Sequence, residues 1–260
     1  MTHDDLIVSR YESKYVIPEA LARRVRDYIQ PMCSPDKHAG ADGRYMVNNL
    51  YFDTPDLRFY YDTRLKRFTR FKPRVRYYGE RPRDFLWLEL KHKVKNVTWK
   101  VRRRIGVDEW PEQVFDGFAN DGDGKIPLLS NSFEAAVQRF HAQPVAQVQY
   151  IREPYVGDLE DYCRITFDRC LTYRAACGSY DLVGDGCMPY WDNAITTACE
   201  SDESPVVLEI KTETRVSLWV IALIRHFELF QRGFSKYCNA MDKLLGEQAY
   251  CDRSCAVGSR

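Results

Sequence analysis

Alternating polar and apolar positions dominate the middle of the chain and predict a pair of β-strands. In the segment 71–93, FKPRVRYYGERPRDFLWLELKHK, Arg74 and Arg76 alternate with apolar or aromatic residues. Because neighbouring residues of a strand point to opposite faces, the two arginines share one face and the apolar side chains share the other. A turn rich in glycine, proline and charge divides the segment, so the pattern predicts a hairpin with one charged face.

The second half of this hairpin carries the same alternation with both signs of charge. Glu89, Lys91 and Lys93 share one face, and Leu88 and Leu90 lie on the other. One charged, solvated face is typical of a single antiparallel hairpin. The pattern becomes informative because it recurs and predicts further strands at 8–16, 45–52, 97–107, 147–154, 162–172 and 206–213.

Apolar residues at helical spacing predict helices between and after these strands. The predicted helices are 21–29, 132–141, 217–232 and 239–248. The third begins at a serine and stops before Gly233, and it is apolar nearly all round, so we expect it to be buried against the sheet. No break in composition separates these elements. The sequence therefore predicts one domain over residues 1–260, with a core at about 8–245 and a flexible tail at 246–260.

The tripeptide Glu-x-Lys occurs in three predicted strands, at Glu12–Lys14, Glu89–Lys91 and Glu209–Lys211. If these strands belong to one sheet, their charged faces collect on one side and their apolar faces on the other. An antiparallel sheet of about eight strands can close into a barrel with room for one ligand. We therefore expect an α+β fold, a closed antiparallel β-barrel with a charged lumen and with helices packed outside.

A lumen crowded with cations needs a ligand that offsets their repulsion, because each unpaired buried charge costs several kcal/mol. Arginine forks and lysine ammonium groups bind phosphate oxygens, and glutamate is an oxygen ligand for Mg²⁺ or Mn²⁺. The sequence therefore predicts a site for a triphosphate or a longer phosphate chain, with a carboxylate-held divalent metal.

The overall charge argues against a nucleic-acid partner. The 260 residues include 38 lysines and arginines against 37 aspartates and glutamates, so any electrostatic function depends on local segregation of charge. The nine cysteines form no CxxC pair and are expected to be reduced thiols. The N-terminus has no apolar signal-peptide region, and the longest apolar run, 216–224, is too short to span a bilayer. We expect a cytoplasmic protein.

Nine segments resemble, in order, the VTC (vacuolar transporter chaperone) domain, the polyphosphate polymerase branch of the triphosphate tunnel metalloenzymes. They are YESKYVIP, NNLYFDTP, PRVRYYG, LELKHK, TWKVRRR, QYIREPY, CRITFD, VLEIK and FSKY. The resemblance implies an eight-strand antiparallel tunnel, ATP and inorganic polyphosphate or pyrophosphate as ligands, and Mn²⁺ or Mg²⁺ as the metal. Neither an inositol-phosphate sensing domain nor a transmembrane segment is recognisable, so the chain resembles a standalone, prokaryote-style member that a membrane partner could recruit.

The resemblance also implies roles for individual residues. Glu209 would be a metal ligand, with Glu12 and Glu89 as further possibilities, and Ser235 would hydrogen-bond phosphate. The TWKVRRR segment leaves Lys100 and Arg102 as alternatives for one family position. The catalytic set would be Lys14, Arg74, Arg76, Lys91, Arg152 and Arg164, and the wider substrate-binding set adds Arg10, Lys100, Arg102, Lys211, Ser235 and Lys236.

The favoured function is a polyphosphate polymerase that transfers the ATP γ-phosphoryl group to a growing chain. Phosphoryl transfer depends on positioning and charge neutralisation, which a hydrolase needs equally. A tripolyphosphatase or nucleoside triphosphatase is therefore the second hypothesis, and a non-catalytic polyphosphate or nucleotide sensor is the third. A nucleic-acid-binding module is the least favoured, because carboxylates interrupt the basic face.

Overall fold

The computed structural model describes residues 11–95, 97–116, 132–159, 162–184, 188–190, 205–213 and 216–257. Arg10, one of the predicted substrate-binding residues, lies outside these ranges. Nine strands are present in the described part of the chain. They are β1 (Tyr11–Ile17), β2 (Cys33–Pro35), β3 (Tyr45–Asp53), β4 (Thr69–Tyr78), β5 (Phe85–Val94), β6 (Val97–Gly106), β7 (Gln143–Gly157), β8 (Cys163–Ala175) and β9 (Val206–Thr212).

The strands form one sheet in the order β1-β9-β8-β7-β3-β4-β5-β6, with β2 added beside β7. The pairs β1–β9, β8–β9, β4–β5 and β5–β6 are all antiparallel, as predicted. The expectation of a closed barrel is wrong, because β1 and β6 stand at the two ends of the path and do not pair with each other within the described residues. Hydrogen bonding therefore leaves the sheet open.

Six α-helices lie within the described residues: α1 (Glu19–Ile29), α2 (Arg58–Arg64), α3 (Glu112–Asp116), α4 (Phe133–Arg139), α5 (Leu218–His226) and α6 (Lys236–Val257). Ser132 caps α4, where its hydroxyl accepts a hydrogen bond from the backbone N–H of Ala135 at 3.2 Å. This confirms the helix that the sequence predicts there.

The two C-terminal helices differ from the prediction. Helix α5 ends at His226, six residues before the predicted end, and Glu228 then adopts a left-handed backbone with φ 48°. Leu218 is 83% exposed, so the expectation of burial all round is also wrong. Helix α6 begins earlier and ends later than predicted, because Ser235 caps it and the chain continues in helical conformation to Val257.

The chain packs as two compact units, each assembled from three separate segments. Unit 1 comprises residues 1–47, 149–171 and 192–234, and unit 2 comprises 48–148, 172–191 and 235–260. Strands β3, β7 and β8 each contribute residues to both units. Neither unit is a continuous stretch of chain, and the one-domain assignment stays a prediction.

Each unit has its own hydrophobic core on the apolar face of its strands. In unit 1, Ala22, Val25 and Ile29 of α1 are fully buried with Ile165 and Leu208 of the sheet. In unit 2 the core contains apolar residues of β3, β4, β5 and β6 together with side chains of α2, α3 and α4. The helices therefore cover the apolar faces, as expected, and the opposite faces of the strands carry the charges.

Candidate functional site

The cation face of unit 2 is the charged side of β4, β5 and β6. Cross-strand pairing aligns its residues in rows, because directly opposed residues of antiparallel strands point to the same side. Two of these rows are Arg74–Glu89–Arg102 and Arg76–Trp87–Arg104. The cation face holds one carboxylate, Glu89, and nine cations: Arg70, Lys72, Arg74 and Arg76 on β4, Lys91 and Lys93 on β5, and Lys100, Arg102 and Arg104 on β6.

A row of three lysines crosses this face. Lys72 is opposite Lys91, and Lys91 is opposite Lys100. Like charges directly opposed across strands destabilise a sheet, by roughly the 0.2–1 kcal/mol that an opposite-charge pair contributes. The row is therefore unfavourable in isolation, and a bound anion would relieve it.

Glu89 is the counterion at the centre of the cation face. Its carboxylate lies 2.6 Å from Arg74, 2.9 Å from Lys100 and 3.8 Å from Arg76, and its side chain is 3% exposed. Burial raises the pKa of Glu89, but the charges of Arg74, Arg76 and Lys100 outweigh it and hold the pKa well below its ordinary value. Glu89 is therefore ionised and held by short contacts.

The ammonium group of Lys100 is perturbed by the same cluster. Burial lowers the pKa of Lys100 to about 8, the charge of Glu89 opposes this, and the guanidinium groups of Arg76 and Arg74 add to it. At the other end of the lysine row, Lys72 Nζ donates to Ser235 Oγ at 2.9 Å. The two outer lysines of the row are thus anchored at 2.9 Å to neighbouring side chains.

Two polar residues of β3 orient the arginines of the cation face. Arg76 Nε donates to Asn49 Oδ1 at 2.9 Å, and Asn49 in turn donates to the carbonyl of Val148. Arg74 Nη1 donates to the hydroxyl of Tyr51 at 3.2 Å. These bonds fix the guanidinium groups before any ligand arrives, which reduces the entropy lost on binding.

The paired face of unit 1 is the charged side of β1, β9, β8 and the adjoining part of β7. Here opposite signs face each other between β1 and β9, where Glu12 is opposite Lys211 and Lys14 is opposite Glu209. Between β8 and β9, Arg164 is opposite Lys211, but Arg164 also lies 2.7 Å from Asp36. Lys14 Nζ also lies 2.8 Å from Glu12. In contrast to the cation face, this surface neutralises much of its own charge.

Arg152 joins two carboxylates of the paired face. Its guanidinium makes two short hydrogen bonds to Asp168, at 2.7 and 2.8 Å, and a longer one to Glu209 at 3.4 Å. Lys14 and Lys211 stand 3.7 and 3.3 Å from Glu209. Glu209 is therefore surrounded by three cations at longer distances than the closest contacts that hold Glu89.

The carboxylate of Glu209 and the hydroxyl of Thr166 are oxygen ligands of the kind that a divalent metal uses together with phosphate or water. Thr166 is opposite Glu209 on β8, and its buried Oγ1 makes no hydrogen bond within the described residues. No group of three or more histidine, cysteine, aspartate or glutamate side chains suitable for a metal occurs in the part of the chain that the structure describes. A carboxylate and a hydroxyl match Mg²⁺-type ions, which commonly use one or two carboxylates and take their other ligands from phosphate and water.

Most of the predicted site residues fall into two sets, one on each charged face. Arg74, Arg76, Lys91, Lys100 and Arg102 share the cation face with Glu89. Arg164 pairs with Asp36 at 2.7 Å, and so joins Lys14, Arg152 and Lys211 among the cations that have carboxylate neighbours in unit 1. Ser235 and Lys236 lie at the start of α6, where Ser235 accepts from Lys72.

Several residues of this site were missing from the sequence prediction. Lys72 lies two residues before Arg74, so the strand alternation could have placed it on the same face. Asn49 and Tyr51 were not assigned roles, because only tertiary packing brings β3 beside the arginines of β4. No local signal in the sequence identifies them.

A buried carboxylate ties two of the motif segments together in unit 2. Asp53 is fully buried, accepts the backbone N–H groups of Phe59 and Tyr60 at 2.8 Å each, and accepts the hydroxyl of Tyr237. Burial raises the pKa of Asp53 despite these hydrogen bonds. These hydrogen bonds hold the start of α6 against the start of α2. The segments NNLYFDTP and FSKY are therefore in direct contact through Asp53 and Tyr237.

Within the described residues, none of the helices combines the length and the apolar character that a membrane span needs.

No curated protein matches the chain in sequence. Three of the solved structures that resemble it have TM-scores just below 0.5. They are a proposed adenylate cyclase of Bacillus halodurans (TM-score 0.49, 12% identity, 86% of this chain and 92% of that one), a proposed adenylyl cyclase of Hippeastrum with a dominant triphosphatase activity (0.48, 14%, 90% and 96%), and the PH1819 protein of Pyrococcus horikoshii OT3 (0.47, 13%, 90% and 99%).

The family profile of the VTC domain matches residues 9–245, which include all nine strands and both charged faces. This confirms the resemblance found in the sequence motifs. The chain belongs to the VTC-domain family.

Proposed function

We propose that this protein is a metal-dependent polyphosphate polymerase that transfers the γ-phosphoryl group of ATP to a growing inorganic polyphosphate chain. The observation that carries the proposal is the cation face, where nine cations and one carboxylate lie in register on three neighbouring strands. Arginine and lysine groups in such a density match the oxygens of a phosphate chain. Membership of the VTC-domain family supports the same reaction class.

In this proposal the cation face of unit 2 binds phosphates, and Glu209 of unit 1 is the predicted metal ligand. Arg74 and Arg76 are oriented by Tyr51 and Asn49, and Lys91 adds a point charge from the middle strand. Lys14, Arg152 and Arg164 are further phosphate-binding candidates, although each has a carboxylate neighbour at 2.7–2.8 Å.

The proposed step breaks the bond between the γ-phosphorus and the oxygen that bridges it to ADP. A terminal phosphate oxygen of the chain forms the new bond to that phosphorus, and ADP leaves with the electron pair. Bound cations neutralise the charge that develops on the transferring group, which is the main requirement of phosphoryl transfer. A divalent metal held at Glu209 and Thr166 would act as a Lewis acid on the phosphate oxygens that it contacts.

The test is to incubate the purified protein with ATP and Mn²⁺ and to measure chain length by gel electrophoresis, with orthophosphate measured in parallel. Wild type is expected to make long polyphosphate, and Arg74→Ala and Glu209→Gln are expected to lose that product. Thr212→Val, on the opposite face of β9, is the matched control and should retain it. Orthophosphate without chains would overturn the polymerase in favour of a triphosphatase, and binding without turnover would leave a sensor.

A further inference from the structure

One end of the cation face carries aromatic side chains, and the other end does not. Phe85 and Trp87 of β5 lie on this face, with ring centroids 5.7 Å apart and edge to face. Beyond Glu89, at the other end, the rows contain lysine, arginine and threonine but no ring. We call Phe85, Trp87, Arg102 and Arg104 the aromatic corner.

The arginines of the aromatic corner rest on rings instead of carboxylates. The guanidinium carbon of Arg102 lies 4.6 Å from the centre of the Trp87 ring, and that of Arg104 lies 4.0 Å from the centre of the Phe85 ring. Both arginines are exposed, and neither has an ion pair with a described residue. A guanidinium stacked on an aromatic ring keeps its outer surface available for a second planar group.

Aromatic rings and stacked guanidinium planes are what proteins use to bind nucleobases, whereas a bare phosphate chain has no flat surface to stack. Successive rows of the sheet are about 7 Å apart, since each row advances two residues along a strand. The lysine row, the Arg74 row and the aromatic corner therefore succeed one another along the strands. A nucleoside triphosphate carries its groups in the same order, with phosphates at one end and a flat base at the other.

We propose that the aromatic corner binds the base of a nucleoside triphosphate whose phosphates occupy the lysine row and Arg74. The inference rests on the proposed function for the position of the phosphates, and it deepens that function by naming the side chains that contact the base of the nucleotide. The base stacks on the Arg102–Trp87 pair, and the triphosphate extends along the strands towards Lys91.

The experiment compares ATP with inorganic tripolyphosphate in EDTA by isothermal titration calorimetry. Because stacking of one base contributes roughly 1–3 kcal/mol, Trp87→Leu is expected to weaken ATP binding about tenfold. Tripolyphosphate has no base, so its affinity should stay within about twofold of wild type. Trp87→Phe keeps a ring and should restore most of the ATP affinity.

Trp99→Leu is the matched control, because Trp99 stacks on His92 on the opposite face of the same sheet. It should leave the affinities for both ligands unchanged. Equal losses of ATP and tripolyphosphate affinity in Trp87→Leu would overturn the inference, since Trp87 would then only support Arg102. An unchanged ATP affinity would overturn it as well.

The failure of this inference is distinguishable from the failure of the proposed function. If Arg74→Ala leaves tripolyphosphate binding intact, the cation face is not the phosphate site and both proposals fail. If Arg74→Ala weakens tripolyphosphate binding while Trp87→Leu affects neither ligand, only the base-binding inference fails.

Discussion

The cation face and the paired face are built from the same residue types but arrange their charges differently. On the cation face, three lysines oppose each other across strands, and the face carries nine cations and one carboxylate. On the paired face, opposite charges predominate across strands, with Arg164 and Lys211 as a like-charged pair. There the four cations Lys14, Arg152, Arg164 and Lys211 stand beside the four carboxylates Glu12, Asp36, Asp168 and Glu209. The charged side chains of the first face are mostly cations, whereas those of the second are evenly divided between the two signs.

The two central glutamates show what this difference means for function. Glu89 is held by contacts as short as 2.6 Å and is buried among cations that it must neutralise. Glu209 has cations at 3.3–3.7 Å and a buried threonine hydroxyl opposite it. We infer that Glu89 is a structural counterion and that Glu209 is the carboxylate suited to a metal. The assignment of Glu89 as a possible metal ligand stays a prediction.

The largest expected effect is the loss of stability in Glu89→Gln. Removing one partner of a buried ion cluster leaves uncompensated cations and costs about 3–5 kcal/mol in the free energy of unfolding. Urea denaturation at pH 7 measures it, and Glu209→Gln should lose clearly less. Equal losses in the two variants would contradict the distinction between the glutamates.

The same variant has a pH signature. Because the folded state lowers the pKa of Glu89, its stabilisation is fully present above the ordinary carboxyl pKa and is lost as pH falls through the folded value. Wild type should therefore lose this contribution in acid, below about pH 4.5, which is the ordinary pKa of a glutamate side chain. Glu89→Gln should lack that part of the acid dependence.

The next effect concerns the metal. Thr166→Val removes the orphaned hydroxyl opposite Glu209 while keeping the shape of the side chain. Changes of this kind around a metal typically cost 10–100-fold in metal affinity or activity, so the Mn²⁺ concentration needed for half-maximal turnover should rise about tenfold. Metal-free tripolyphosphate binding should not change. An unaltered metal requirement would place the metal elsewhere.

Two lysines should respond with opposite signs. Lys91→Gln removes a like-charge contact from the lysine row and should raise the free energy of unfolding of the ligand-free protein by roughly 0.2–1 kcal/mol. Lys211→Gln removes an opposite-charge neighbour of Glu12 and Glu209 and a like-charge neighbour of Arg164. Since two favourable contacts are lost with one unfavourable contact, it should lower the free energy of unfolding by a similar amount. Lys91→Gln should also weaken polyphosphate binding. Destabilisation by both substitutions would contradict the contrast between the faces.

The smallest effect is a proton taken up on binding. Since the pKa of Lys100 is about 8, a phosphate that favours the charged ammonium should raise it and draw part of a proton from solvent near pH 8. Calorimetry in buffers of different ionisation enthalpy measures this uptake. Lys100→Arg, which stays protonated, should abolish it, and an unchanged uptake would assign the proton to another group.

Much of the fold was predictable because strand alternation is a local signal. The predicted strands match β1, β3 and β4–β9 to within a few residues, and the helix at 132–141 corresponds to α4. The end of α5 was not predictable from apolar periodicity, which continues past His226 while the backbone turns at Glu228. Closure of the sheet depends on whether β1 and β6 pair, and no local pattern encodes that contact.

The chemistry of the site was predictable only in part. Alternation and motif resemblance identified Arg74 and Arg76 of β4 and Lys91 of β5, because their side chains follow directly from the strand pattern. The distinction between Glu89 and Glu209 depends on cross-strand register and on distances to cations from other strands. Asn49 and Thr166 lie in ordinary strand positions, and only their tertiary neighbours reveal what they contact or face.

The most direct test of the account is metal-free binding of tripolyphosphate, measured by calorimetry in EDTA for wild type, Arg74→Ala and Glu209→Gln. We expect Arg74→Ala to weaken tripolyphosphate binding about tenfold or more, since a hydrogen-bonded charge contact contributes roughly 1.5–3 kcal/mol. We expect Glu209→Gln to bind tripolyphosphate at least as well as wild type. Both variants should fail to make polyphosphate with ATP and Mn²⁺. Metal-free binding that depends on Glu209 and not on Arg74 would contradict the assignment of phosphate to the cation face and metal to the paired face.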